Sequence, residues 1–257
     1  MAYSIRFSAR LKPHRLFALV AVCLFMLANT SSQAWSGEKR KLVINSGGNE
    51  PYVSSDGSGF YTLIVNEIFK RLGIDVEFIS LPNQRSLIFA NDGIDDGNMA
   101  RIKGLEKKYP NLIRVPEKII DYEFVAYSLD TDISMDGWES LKPYEVAYIS
   151  GWQIFETNVR DTKKRTRVRN PTQLFGLLQN KRADIILFEH WSGLYWNKRL
   201  NVGARLLRPP LATRALYMYL HKKHADLVPA VAQTLTDMKK DGTYQRIFYD
   251  KLAVLVE

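Results

Sequence analysis

Two side chains carry the chemistry that matters most in this sequence. Arg101 follows the short segment Ile94–Ala100, and a guanidinium offers the two-pronged donor fork that a carboxylate accepts. Glu189 ends the apolar run Ile185–Phe188, at the end of an α/β strand where ligands collect, and a carboxylate there suits an ammonium or a hydroxyl. Each has a plain structural alternative: a surface salt bridge with Glu106 for Arg101, a strand-end cap for Glu189.

Ser150-Gly151-Trp152 enters a helix, where free N–H groups favour an anion and where Ser150 serves equally as a cap. Tyr52, Trp152 and Trp191 supply flat rings that stack on a ligand or simply fill a core. Glu50 and Arg85 are weaker candidates, because loop charges are usually solvated.

Several chemistries are not expected. The histidines at 14, 190, 221 and 224 lack metal-ligand spacing with carboxylates, so no metal site is expected. The neighbouring Glu189 and His190 do not by themselves make a catalytic set. No G-x-S-x-G, H-E-x-x-H or phosphate-cradling glycine motif is present, and no cofactor is implied. Cys23 is the one cysteine. It lies in an apolar run read as removable, which excludes thiol catalysis and disulfides from the mature chain.

The elements that must position these residues alternate along the chain. Lys41–Ile44 reads as a strand, 61–72 as a helix capped by Gly73, and 74–79 as a second strand. A short helix over 84–91 follows, then a strand over 122–128. The order then restarts: a strand at 145–149, helices at 152–158 and 172–179, and a buried strand at 183–188. A β-like run at 215–220 and helices from 225 and over 244–252 close the chain. This alternation predicts an α/β fold of two units with parallel strands and helix-covered faces, meeting at a cleft.

Bulk properties agree. With 257 residues, 46% of them hydrophobic, the chain has enough apolar material for packed cores. Arg6, Arg10, Lys12 and Arg15 precede the apolar stretch Leu16–Leu27 and the small-residue site Ser32-Gln33-Ala34. These are the three parts of a cleavable export signal over residues 1–34; an uncleaved anchor is the alternative. Removing those four cations lowers the net charge from +9 to about +5, an excess that requires no nucleic-acid partner.

Four segments together resemble a known family. They are Glu50-Pro51-Tyr52 with Gly59-Phe60 and Phe69–Gly73; Val146–Gly151; Lys181–Glu189; and Lys240-Asp241-Gly242-Thr243-Tyr244. In order, they resemble the bacterial extracellular solute-binding proteins of family 3, the periplasmic amino-acid-binding type. The resemblance implies a type II periplasmic binding protein fold, with lobe 1 over 41–126 plus 217–257, lobe 2 over 127–216, and a hinge between them. It implies a non-catalytic, monomeric periplasmic protein that closes on a small-molecule ligand, an amino acid or related carboxylate, and is read by an ABC-type transporter or a membrane sensor. It also implies that Glu189 holds the ligand's amino group.

The chain departs from the family at Asp95–Arg101, where the usual hydroxyl-bearing loop is shortened. That departure puts an ordinary α-amino acid in doubt as the ligand. A dehydratase-like enzyme on the same scaffold, with Glu189 as general acid, is the runner-up.

Overall fold

Two unusually long strands organise the molecule. The computed structural model describes residues 41–130 and 132–256, and in it β4 (Leu112–Ser128) and β8 (Arg205–His221) run antiparallel along most of their 17 residues. On one side of this ribbon, β3 (Gly97–Ile102) pairs with β8, followed by β1 (Lys41–Ser46) and β2 (Asp75–Ser80), the last three mutually parallel. On the other side β7 (Ile185–Glu189) pairs with β4, followed by β5 (Glu145–Ile149) and β6 (Lys164–Val168), again parallel. The result is one eight-stranded sheet in the order β2-β1-β3-β8-β4-β7-β5-β6.

Two parallel groups were expected; their fusion through an antiparallel ribbon was not. Only 122–128 and 215–220 read as strand in the sequence, because Pro116, Pro209 and Pro210 interrupt the pattern. The pairing register slips between Arg114 and Lys118 and again between Phe124 and Ala126. The prolines sit at these irregularities, where the missing N–H breaks no ladder bond. The expected lobe boundaries at 126/127 and 216/217 fall inside the two long strands. Strand β6, rich in Lys and Arg, also escaped notice.

Each parallel group has its own core. At one end, α1 (Phe60–Arg71) buries Phe60, Ile64 and Ile68 on one stripe with Tyr61, Val65 and Phe69 beside it. These side chains pack with Ile44, Val115, Met218 and with Val231 and Leu235 of α6 (Val228–Lys240), while Tyr244 and Phe248 of α7 (Thr243–Lys251) close over them. Truncating a ring such as Phe60 would cost about 3–5 kcal/mol. At the other end, β7 is buried along its whole length. Ile185 and Leu187 face Phe155 of α3 (Gln153–Asn158), while Ile186 and Phe188 face Leu174, Phe175 and Leu178 of α4 (Pro171–Gln179). Cover on both faces explains why β7 reads as an unbroken apolar run rather than an alternating one.

Two further helices place functional side chains: α2 (Asn83–Asn91) and α5 (His190–Arg199). The export signal expected over 1–34 lies outside the described residues. Among those described, no helix is long and apolar enough to cross a membrane.

Candidate functional site

A cavity of about 520 Å³ opens between the two parallel groups, within the size range of small-ligand sites. Its walls come from the carboxyl ends of β1, β5 and β7 through Ser46, Gly151 and Phe188, and from the ribbon through Tyr122, Phe124 and Arg214. Carboxyl ends of parallel strands are where α/β sheets present ligands.

Arg101, on β3, lines this cavity. Its Nη2 donates to Ser86 Oγ of α2 at 2.6 Å and its Nη1 to the Ala100 carbonyl at 3.3 Å. Its Nε is sealed from solvent and has no partner among the described residues. Ser86 is itself fixed: its hydroxyl donates to the Asn83 carbonyl and lies 3.3 Å from Asn98 Nδ2. Behind it, Asn45 joins Asn98, the Ser86 carbonyl and Asp95 in a buried polar network. No described acid pairs with Arg101, and Glu106 instead meets Arg114 at 3.5 Å. Burial pulls the Arg101 pKa down to about 10, so at neutral pH the group stays charged without a counterion.

Glu189 is fully buried and caps α5, its Oε2 accepting from the Ser192 N–H at 2.8 Å. Its Oε1 accepts from the Tyr52 hydroxyl at 2.6 Å. Burial pushes its pKa up to about 7, against the lowering effect of these hydrogen bonds. Glu189 does not line the cavity, although Tyr52 and Ser192 do. Next to it, His190 lies 3.2 Å from Glu123, which also binds Arg208, and stacks on Trp191.

The structure thus brings Arg101, Tyr52, Gly151 and Trp152 around one cavity. Glu50 and Trp152 line an adjoining hollow of about 480 Å³ that also takes in Arg169 and Asn170. Glu189, Ser150, Trp191 and Arg85 line neither. Ser150 is exposed and Trp152 occupies the cap position of α3, while the Gly151 N–H already meets Glu156 Oε1 at 3.2 Å. The expected anion site at this helix start therefore has a protein acceptor in place. Trp191 packs edge-on against Phe248 on the first core, and Arg85 is exposed.

No protein-family model matches the chain. An uncharacterized protein of Shewanella oneidensis is 26% identical over 191 residues, 72% of each chain. Solved structures superimpose over most of the described length. The GluR0 ligand-binding core in complex with L-glutamate aligns with a TM-score of 0.72 at 13% identity, over 84% of this chain and all of that one. An ancestral arginine-binding protein bound to glutamine aligns at 0.66 and 20%, over 83% and 98%. A histidine kinase sensor domain with similarity to periplasmic binding proteins aligns at 0.68 and 17%, over 83% and 96%. The chain has the type II periplasmic binding protein fold.

Two residues of the cavity wall, Tyr61 and Tyr122, and one behind it, Ser86, had no signal in the sequence. Tyr61 looked like an ordinary helix-core position, yet it lines the cavity, and its buried hydroxyl has no described partner. Tyr122 stacks near-parallel to Trp152, with centroids 6.3 Å apart. Ser86 is one of many serines. Only the pairing of β3 with β8, which sets Arg101 against α2, reveals its role.

Proposed function

We propose that this chain is an exported solute-binding protein of the family 3 type. It captures a small carboxylate, an amino acid or a relative of one, between lobe 1 (41–126 plus 217–257) and lobe 2 (127–216). The observation that carries this reading is the buried, acid-free guanidinium of Arg101 in the interlobe cavity. A ligand carboxylate in the cavity supplies the missing countercharge to the guanidinium, with Tyr61 in the same wall. Its body rests against Tyr122 and Trp152. Because these walls come from both lobes, a ligand touching them favours the closed state by contacts the open state lacks. Micromolar affinity needs about 8 kcal/mol, which charge-assisted hydrogen bonds and ring contacts in a desolvated cleft can supply.

The closed protein is then read by a membrane partner, an ABC-type transporter or a sensor; the likeness to both binding proteins and a sensor domain supports either. The test is a thermal-shift screen of carboxylates, amino acids and polyamines on the wild type and on Arg101→Gln. Stabilisation by a carboxylate that disappears in the variant supports the reading. A polyamine hit, or an unchanged response in the variant, defeats it.

One observation favours a second reading. A buried carboxyl with a pKa near 7 is suited to general-acid work in a dehydratase-like enzyme on this scaffold. There the Tyr52 hydroxyl would relay the proton, since Glu189 does not reach the cavity itself. Recovery of chemically unchanged ligand after prolonged incubation excludes it; loss of water from a bound carboxylate establishes it.

A further inference from the structure

We propose that the cavity selects carboxylates that carry no ammonium group. This rests on Arg101 being the carboxylate anchor, and it narrows the ligand from an amino acid to an amine-free acid with an apolar or planar body.

The cavity wall holds two arginines, Arg101 and Arg214, and no aspartate or glutamate among the described residues. An ammonium placed here meets like charge and finds no carboxylate to replace its lost hydration, which is costly in a desolvated site. The acid best placed to receive it, Glu189, has both oxygens engaged within the protein, one by Tyr52 and one by Ser192. For an ammonium to reach Glu189, the Tyr52 ring would have to move, and that ring is fixed by stacking on Tyr61 at 4.5 Å. Asp95 is held by the Asn45 amide behind Arg101 and is absent from the cavity wall. Glu50 opens into the adjoining hollow instead.

What the wall does offer is apolar and flat. Tyr52, Tyr61, Tyr122, Phe124, Trp152 and Phe188 all line it. Rings alone would also attract a cation, but the uncompensated guanidinium among them reverses that preference. The combination suits an anionic head with a hydrocarbon or aromatic body.

Calorimetric titration of the protein at neutral pH decides this with matched pairs: 3-phenylpropionate against L-phenylalanine, propionate against L-alanine, and succinate against L-aspartate. Phenethylamine is the amine control. We expect at least one amine-free acid to bind about tenfold or more tighter than its amino counterpart, and Arg101→Gln to weaken that binding about a hundredfold or more. An amino acid that binds as well as its amine-free partner, with dependence on Arg101, overturns the selectivity and leaves the anchor standing. Binding of phenethylamine alone, or of none of the acids, overturns both.

Discussion

The Tyr52 hydroxyl donates to Glu189 Oε1 at 2.6 Å, joining a loop packed on the first core to the end of a strand buried in the second. The bond is fully buried, and it turns the acid expected to meet a ligand into an internal tie between the two ends of the sheet. Tyr52→Phe keeps the ring and removes the donor, leaving Oε1 buried with one partner fewer. We expect a loss of about 1–3 kcal/mol, seen as a fall of several degrees in Tm. The loss should be larger at pH 8 than at pH 5, since the bond favours the ionised carboxylate.

The raised pKa of Glu189 makes a second prediction with a definite sign. Burial moves the carboxyl from its ordinary 4.5 to about 7, so the folded protein holds this proton more tightly than the unfolded chain does. Its stabilising contribution is therefore full below about pH 4.5 and is lost as pH rises to about 7. The span amounts to about 3 kcal/mol. Glu189→Gln has no such titration. The stability of the wild type relative to this variant should decline across that window and level off above it; chemical denaturation at a series of pH values reads the difference directly. A difference that stays constant or grows with pH contradicts the assignment.

Ser86 is a positioning residue. Its Oγ accepts from Arg101 Nη2 at 2.6 Å and stands beside Asn98. Ser86→Ala should leave the guanidinium in place but free to rotate, weakening carboxylate binding about tenfold, the equivalent of about 1.4 kcal/mol. Ser86→Thr, which retains the hydroxyl, should restore most of the affinity, an outcome that a merely structural role would not give.

Gly59 holds the Tyr52 loop on α1. A Cβ at this position would stand 2.5 Å from the Tyr52 carbonyl oxygen, which itself accepts from the Tyr61 N–H. Gly59→Ala should force that loop off the helix, at a cost of about 1–3 kcal/mol, and should weaken ligand binding by displacing the Tyr52 ring. Denaturation and titration of the same variant test both halves.

Much of the scaffold was legible from residue patterns. The helical recurrence of Ile64, Ile68 and Phe69 and the apolar run of β7 expose their burial in their spacing, because both elements pack on continuous hydrophobic neighbours. The long strands were not legible, since Pro116, Pro209 and Pro210 break a pattern that pairing tolerates only at register slips. Arg101 was singled out because a guanidinium after a short buried segment is conspicuous, and the structure sets it on the cavity wall. Ser86 and Tyr61 were not, because their significance depends on which elements meet in space. Glu189 illustrates the limit most clearly: its place at a strand end could be read, but its engagement by Tyr52, 137 residues away, could not.

Titration of wild type and Arg101→Gln with the same carboxylate series asks whether Arg101 is the uncompensated charge that a ligand carboxylate meets. We expect saturable one-to-one binding of at least one carboxylate by the wild type, weakened about a hundredfold or more in the variant. Equal affinity of the two proteins for every carboxylate they bind would contradict it.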